Sequence, residues 1–325
     1  MSFKSIYHKI WEYDKKNAVN YKVATNDVAS IFDIQYGDDK NNNLFDIHFP
    51  KDKEQEKLPT IFVVHGGGYV SGSKNDTDNY SRLLAEKGYT VINIEYTKAD
   101  GPENKYFNDQ LAELYDLFDF IKNNIEINKH VDYDNIFFAG DSAGAHLVSM
   151  VANIQTNPLL NNSNVLKNDI KIKGLILVSP MFGPYKMGLP IQKEYENVVF
   201  GKEIDKEKKF SNYPFNNITK YFPQCIMISF KNDFVVKNHK NLFLKVAKKH
   251  NLSVNNINVL SGYKIFHDAL IKYPDCYTKC IDCITTFVEN NINNKYENGI
   301  KSAKIFEINS KLNYDSTELQ LENKK

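Results

Sequence analysis

Ser142 lies in a pentapeptide whose residue types and spacing suit a nucleophile. Residues 135–147 read NIFFAGDSAGAHL, so GDSAG at 140–144 joins an apolar strand-like run to a helix-like run. A serine at a sharp turn from strand to helix projects its hydroxyl beyond the sheet edge, and the N–H of the next residue, Ala143, faces the same space. The flanking glycines leave room for the neighbouring strand and helix. The pattern therefore predicts that Ser142 is a nucleophile.

Three consecutive glycines follow an earlier strand-like run in the stretch 59–72, PTIFVVHGGGYVSG. A tight turn needs one or two glycines, so a third indicates that another group approaches the backbone closely. Attack on an ester carbonyl produces a tetrahedral oxyanion, which needs hydrogen-bond donors already in place. We expect the N–H groups of Gly66, Gly67, Gly68 and Ala143 to form such an oxyanion hole, with His65 structural. A phosphate-binding loop is disfavoured, because neither G-x-x-x-x-G-K-[ST] nor G-x-G-x-x-G is present.

A serine hydroxyl needs a base, and the base needs an acid that orients it. In a fold with such a turn, the chain order is serine, then aspartate or glutamate, then histidine, each after a strand. KNDFVV follows one strand-like run and offers Asp233, and SGYKIFHDAL follows the next and offers His267. Asp268 is the rival acid, but adjacent side chains seldom point at one another. The remaining histidines come too early in the chain, lie on helices, or lie in a loop before the strand that leads to Ser142: His8, His48, His130, His146, His239 and His250.

The elements that must position these residues alternate along the chain. Strand-like runs cover 28–37, 43–49, 60–65, 89–96, 135–140, 173–179, 224–230 and 255–260, and helix-like runs cover 75–88, 109–125, 142–155, 238–250 and 268–290. The runs from 60 onward are almost continuously apolar, as in strands buried on both faces of a parallel sheet. The pattern predicts one α/β domain over residues 1–325, with an eight-stranded, mostly parallel sheet and helices on both faces.

Three regions fall outside the alternation. Residues 1–24 carry apolar side chains at helical spacing, which favours a helix packed on the body of the domain over a helix on a membrane surface. Residues 181–222 form a long insertion between two strands, which is usually a lid or a binding loop. The tail, 291–325, receives no prediction. The insertion is aromatic and suggests an apolar pocket: its aromatic residues include Phe182, Tyr185, Tyr195, Phe200, Phe210, Tyr213 and Phe215.

Composition limits the possible partners. The net charge is +1, and hydrophobic residues make up 42% of the chain. Nothing therefore favours nucleic acid or an anionic membrane as a partner. No secretory signal or membrane-length apolar run is visible, so we expect a soluble, cytoplasmic protein. Cys276, Cys280 and Cys283 have the spacing C-x3-C-x2-C of some iron–sulfur sites, but the same spacing places them on one face of a helix, and burial there is the favoured interpretation.

HGGGYV at 65–70, GDSAGAH at 140–146, the aspartate of KNDFVV and the histidine of IFHDAL together resemble the hormone-sensitive-lipase-type esterases of the α/β-hydrolase fold. The resemblance covers roughly residues 25–290, and it implies that the segments 1–24 and 181–222 form a small cap. The chain departs from the family pattern in two places. One is the strand after the first helix, which ends IEYTKADGPEN, and the other is Ala145 and His146, which follow GDSAG.

The resemblance implies a serine carboxylesterase in which Ser142, His267 and Asp233 form a catalytic triad. We expect a small, uncharged, short-chain ester of the acetyl type as substrate, with no metal and no organic cofactor. An amide or formamide hydrolase of the same fold, or a ligand-binding relative without catalysis, remains an alternative.

Overall fold

The computed structural model describes residues 23–99, 101, 105–161, 170–184, 189–233, 235–263 and 265–306. These residues form a nine-stranded sheet in the order β1-β2-β4-β3-β5-β6-β7-β8-β9. The strands are β1 (Val28–Gln35), β2 (Leu44–Pro50), β3 (Leu58–Val64), β4 (Thr90–Ile94), β5 (Val131–Asp141), β6 (Ile172–Val178), β7 (Gln224–Phe230), β8 (Ser253–Ser261) and β9 (Gly299–Phe306). β1 and β2 pair antiparallel with their neighbours, and the other pairings are parallel.

The predicted α/β class and mostly parallel sheet are confirmed, with one strand more than the eight predicted. The additional strand, β9, lies in the tail that received no prediction and pairs with β8 at the sheet edge. Its side chains are largely exposed, and only Ile305 is buried. An edge strand with so few buried side chains lacks the apolar pattern by which the inner strands are recognised.

Helices cover both faces of the sheet. They are α1 (Asp78–Glu86), α2 (Phe107–Asn123), α3 (Ile125–Asn128), α4 (Ala143–Thr156), α5 (Pro158–Asn161), α6 (Leu189–Phe200), α7 (Lys206–Ser211), α8 (Pro214–Asn217), α9 (Lys237–Lys249), α10 (Ala269–Lys272) and α11 (Thr278–Ile292). The helix predicted over 268–290 is interrupted between α10 and α11, where Pro274 opens a short 3-10 turn. Cys276 lies in that turn and not on the same helix as Cys280 and Cys283.

Two hydrophobic clusters hold the layers together, one on each face of the sheet. The larger includes Leu114 of α2, Val148 of α4 and Phe243 of α9. The other includes Leu84 of α1 and Ile284 of α11. The inner strands supply side chains to both clusters, which explains their nearly continuous apolar sequences.

The insertion between β6 and β7 contains α6, α7 and α8. Phe182, Tyr195, Phe200 and Tyr213 are buried in the larger cluster. Phe210, by contrast, is 63% exposed, so the structure does not support its predicted place in an apolar pocket. Tyr185 and residues 1–22 lie outside the described residues. Among the described helices, none combines the length and the apolar character needed to cross a membrane.

Candidate active site

The residues predicted to act together follow four parallel strands at the same edge of the sheet. The three consecutive glycines Gly66–Gly68, called the glycine loop below, follow β3. Ser142 follows β5, Asp233 follows β7 and His267 follows β8. Parallel strands present their carboxyl ends at one edge, and ligand sites of open α/β sheets lie there. The topology therefore brings together segments that are far apart in the sequence.

Ser142 lies in the sharp turn between β5 and α4. Its backbone angles are φ 47° and ψ −114°, a conformation that costs a non-glycine residue about 1–3 kcal/mol. The surroundings hold the turn: Ser142 N–H donates to the Val178 carbonyl oxygen, and the Met181 N–H donates to the Ser142 carbonyl oxygen, both at 3.0 Å. The side chain is thus fixed at the strand end with the residue only 1% exposed.

Gly144 allows α4 to begin directly against β3. A Cβ atom at this position would lie 2.0 Å from the Val64 carbonyl oxygen. Since that neighbour is backbone, it has no rotamer by which to move away. The second glycine of GDSAG is therefore required by the close packing of helix on strand.

His267 lies between Ser142 and Asp233. Its Nε2 is 2.9 Å from Ser142 Oγ, and its Nδ1 is 3.0 Å from Asp233 Oδ2. Asp233 is 5% exposed, and its other oxygen accepts a hydrogen bond from the Val236 N–H at 3.4 Å. Burial opposes ionisation of Asp233, but His267 and the Ser179 hydroxyl stabilise the carboxylate and lower its pKa. The arrangement can move a proton from the serine hydroxyl to the imidazole.

The imidazole has a second acidic neighbour that was not expected to face it. Asp268 Oδ2 lies 3.1 Å from Nε2 of His267, although the two residues are adjacent in the chain. A left-handed backbone at Asp268, with φ 57°, allows this contact. Burial lowers the pKa of His267, but the charges of Asp268 and Asp233 outweigh it and raise that pKa to about 9.

The N–H groups of the glycine loop differ in their hydrogen bonding. The Gly66 N–H donates to Asp141 Oδ1 at 3.0 Å, so the loop uses this donor internally. In the described part of the chain, the N–H groups of Gly67 and Gly68 have no hydrogen-bond acceptor. Gly67 has φ +108°, and a Cβ there would lie 2.1 Å from the Ser71 carbonyl oxygen. Only glycine fits this conformation and this approach.

His65 contacts the glycine loop and stabilises it. Its Nδ1 lies 2.6 Å from the Gly66 carbonyl oxygen, its Nε2 lies 3.1 Å from Glu95 Oε1, and its ring stacks on Tyr96. Lys98 also pairs with Glu95. Burial opposes ionisation of Glu95, yet His65 and Lys98 lower its pKa to about 2. These contacts agree with the structural role predicted for His65.

A chain of hydrogen bonds joins the loop, α4 and the insertion. The Gly183 N–H donates to the Tyr69 hydroxyl at 3.1 Å, and that hydroxyl donates to Nδ1 of His146 at 2.6 Å. Nε2–H of His146 then donates to the Asn212 carbonyl oxygen at 2.6 Å. Burial lowers the pKa of His146 to about 3, so the ring is neutral and has one donor and one acceptor nitrogen.

Strained backbone is concentrated around this site. Tyr69, Ser142, Ser179 and Asp268 all have positive φ, between 42° and 70°. Such conformations persist where the surrounding structure over-determines them, and they cluster at active sites and ligand clamps. Their grouping here is independent of the distances and points to the same location.

Outside this site, three potential metal ligands of the described residues lie close together: Asp46, His48 and Asp78, with ligand atoms within 4.8 Å of one another. Lys74 Nζ already contacts both oxygens of Asp46, at 2.7 and 2.8 Å. An ammonium group there repels a metal cation, so this cluster is better explained as a buried ion pair with a neighbouring histidine.

The BD-FAE family model matches residues 45–247. This chain belongs to the BD-FAE family. The BD-FAE match runs from β2 to α9, so it includes the glycine loop, Ser142 and Asp233 and ends before His267. The match and the topology confirm the family resemblance recognised in the sequence and the α/β-hydrolase fold.

Among relatives of this BD-FAE chain, arylacetamide deacetylase of Oryctolagus cuniculus is 30% identical over 158 residues, which are 47% of this chain and 37% of the relative. Probable carboxylesterase 1 of Arabidopsis thaliana is 27% identical over 161 residues, or 46% of this chain and 49% of the relative. The matched regions thus span half or less of these relatives. Among solved structures, esterase B from Lactobacillus rhamnosis superimposes with a TM-score of 0.78 at 19% identity, over 89% of this chain and 95% of that one.

Sequence reasoning passed over several residues of this BD-FAE site. His146 is the second residue after the GDSAG motif, and its departure from the family pattern was the available signal. Asp141 lies within the motif, and its hydrogen bond to the Gly66 N–H depends on the pairing of β3 with β5, which the sequence alone does not reveal. The acidic residue after His267 was visible, but the left-handed turn that directs it at the imidazole was not.

Proposed function

We propose that this protein is a serine carboxylesterase that hydrolyses small, uncharged, short-chain esters of the acetyl type through an acyl-enzyme. The observation that carries the proposal is the geometry of three side chains: His267 lies 2.9 Å from the Ser142 hydroxyl and 3.0 Å from Asp233. Relatives named carboxylesterase and deacetylase, and the fold shared with esterase structures, support the same reaction class.

In this mechanism, Ser142 Oγ forms a bond to the ester carbonyl carbon while its proton passes to Nε2 of His267. Asp233 holds the imidazole through Nδ1. Gly67, Gly68 and Ala143 donate N–H groups to the oxyanion, whereas the Gly66 N–H remains on Asp141. The carbon–oxygen bond to the alcohol then breaks, and Nε2–H protonates the departing oxygen. Water, deprotonated by the same nitrogen, hydrolyses the acyl-enzyme and restores Ser142.

The insertion between β6 and β7 is proposed to be a cap over this site. Tyr195 donates its hydroxyl hydrogen to the Gly68 carbonyl oxygen at 3.2 Å, and His146 reaches Asn212. The first bond joins the insertion to the glycine loop, and the second joins it to α4. Its buried aromatic side chains and the single arginine of the chain favour an uncharged substrate.

Two measurements test the proposal. A fluorophosphonate probe should label Ser142, and rates across a p-nitrophenyl ester series should fall as the acyl chain lengthens from acetate. Ser142→Ala should abolish labelling and lower turnover by about 10⁶-fold, the cost of removing a triad nucleophile. Ser302→Ala on the exposed edge strand β9 serves as the control.

The two alternatives predict different results. The deacetylase name of one relative favours an amide substrate, and faster turnover of an N-acyl arylamine than of the matching ester would select it. A folded chain that neither reacts with the probe nor hydrolyses any ester would overturn the enzymatic proposal in favour of a ligand-binding protein.

A further inference from the structure

Two carboxylates contact the imidazole of His267, one at each nitrogen. Asp233 Oδ2 is 3.0 Å from Nδ1, and Asp268 Oδ2 is 3.1 Å from Nε2. Nε2 also faces the Ser142 hydroxyl at 2.9 Å. The mechanism above uses the acid at Nδ1 and leaves the acid at Nε2 without a task.

The backbone fixes the position of Asp268. Its N–H donates to Ser179 Oγ at 3.2 Å, and its carbonyl oxygen accepts hydrogen bonds from the N–H groups of Ile271 and Lys272 in α10. Both Asp268 and Ser179 have positive φ, 57° and 42°. Asp268 is only 8% exposed, so its carboxylate cannot relax into solvent. The contact with His267 is therefore a feature of the fold and not of a mobile surface side chain.

A third acid, Asp141, lies close enough for the charge of Asp268 to act on it. Asp141 is 5% exposed and accepts the Gly66 N–H. Burial first, and then the charge of Asp268, raise the pKa of Asp141 well above its usual range. Where two carboxyls interact closely, one retains its proton so that the other can ionise. The raised pKa favours the protonated form of Asp141, and the charge of Asp268 is one of its causes.

We propose that Asp268 is a second carboxylate partner of the reacting imidazole, which stabilises the imidazolium at Nε2 and so sets the pH range of activity. This inference rests on the proposed function. When Nε2 takes the proton of Ser142, the new N–H can be shared between the leaving oxygen and Asp268 Oδ2. The proton then passes to the alcohol, and Asp268 stays ionised throughout.

The stabilisation has a cost in the resting protein. An imidazolium held by two carboxylates cannot accept a proton, so the base must first lose one to solvent. Among the described residues, the charge of His267 also interacts with Asp141, with Lys272 of α10, which opposes its protonation, and with His239 of α9, whose pKa burial lowers to about 4. Asp141 accepts the Gly66 N–H. Neither Lys272 nor His239 can replace a carboxylate at Nε2.

The test is an NMR titration of the histidine rings in the full chain, with His267 assigned by its disappearance in His267→Gln. Asp268→Asn removes the charge and keeps the shape, and asparagine tolerates the left-handed backbone. We expect the His267 pKa to fall by about 1–3 units, the effect of removing an adjacent opposite charge. The acid limb of kcat/KM for p-nitrophenyl acetate should move down by the same amount.

Asp282→Asn, on an exposed position of α11, is the matched control and should leave both values unchanged. Asp268→Gly removes the charge without backbone strain and provides a second variant if Asp268→Asn folds poorly. A His267 pKa that stays within experimental error of wild type in the folded variants overturns the inference. Failure of the probe to label Ser142 would overturn the esterase proposal alone, because the titration needs no turnover.

Discussion

Asp233 accepts a hydrogen bond from Nδ1 of His267 at 3.0 Å, which leaves Nε2 facing the Ser142 hydroxyl. An amide in place of this carboxylate would present N–H as well as C=O to the imidazole and would favour the opposite tautomer. The Asp233 side chain is buried, so water does not reach its position to substitute for the lost acceptor. At the scale of single residues, Asp233 is the group that holds Nδ1 of the imidazole.

Asp233→Asn should therefore lower kcat by about 10⁴-fold with little change in KM, as expected when the wrong tautomer faces the nucleophile. Initial rates on p-nitrophenyl acetate measure the effect, and the folded state is checked by circular dichroism. Asp282→Asn serves again as the exposed control. Wild-type turnover in a folded Asp233→Asn protein would show that another acid, with Asp268 the first candidate, orients the imidazole.

At the scale of elements, the link from the glycine loop through α4 to the insertion depends on one hydroxyl. The Tyr69 hydroxyl accepts from Gly183 and donates to His146, and all three groups are buried. Because the donors and acceptors form a chain, loss of the hydroxyl leaves a backbone N–H and a ring nitrogen unsatisfied at once. The insertion and the glycine loop would then lose one of their links, while the Tyr195 hydroxyl would still donate to the Gly68 carbonyl oxygen.

Tyr69→Phe should lower the free energy of unfolding by about 1–3 kcal/mol, the cost of unsatisfied buried polar groups. It should also lower kcat/KM, since the loop beside it holds the proposed oxyanion donors. Urea denaturation and ester hydrolysis measure the two effects. Tyr221→Phe, at a side chain 63% exposed, should change neither. Equal stability of Tyr69→Phe and wild type would mean that this hydroxyl does not anchor the insertion.

At the scale of the whole molecule, buried histidines make folding sensitive to acid. Burial lowers the pKa of His48 and His146 from 6.5 to about 3 and that of His239 from 6.5 to about 4. Between these values and 6.5, the unfolded chain binds protons that the folded chain does not. Stability therefore falls as the pH decreases through this window, by up to about 1.4 kcal/mol per pH unit for each histidine.

His267 has the opposite sign. Its pKa is raised to about 9, so its contribution to stability is complete below 6.5 and is lost as the pH rises through 9. We expect the free energy of unfolding from urea titrations to decline on both sides of neutrality. His48→Gln should reduce the acid slope, and Tyr221→Phe, at a residue 63% exposed, should not. A flat profile between pH 7 and 4 would contradict this account.

Much of the fold was predictable because its signals are local. The apolar runs of the inner strands reflect burial on both faces, and GDSAG indicates a strand, a sharp turn and a helix within one short segment. The edge strand β9 and the interruption of the last helix at Pro274 were not found. The first buries too little to leave a pattern, and the second retains apolar residues at helical spacing on both sides.

The sequence by itself determined the fold class, the sharp turn at Ser142 and the order of the candidate residues, since each depends on neighbouring residues and on strand ends. Only the tertiary structure decided which atoms meet. The contact of Ser142 with His267 spans 125 positions of the chain, and the contact of His267 with Asp233 spans 34. The register of the sheet fixes these contacts and also brings the Gly66 N–H to Asp141. The left-handed turn at Asp268 directs the Asp268 carboxylate toward the imidazole. Distances of this kind are set by packing across the whole sheet, which no local pattern encodes.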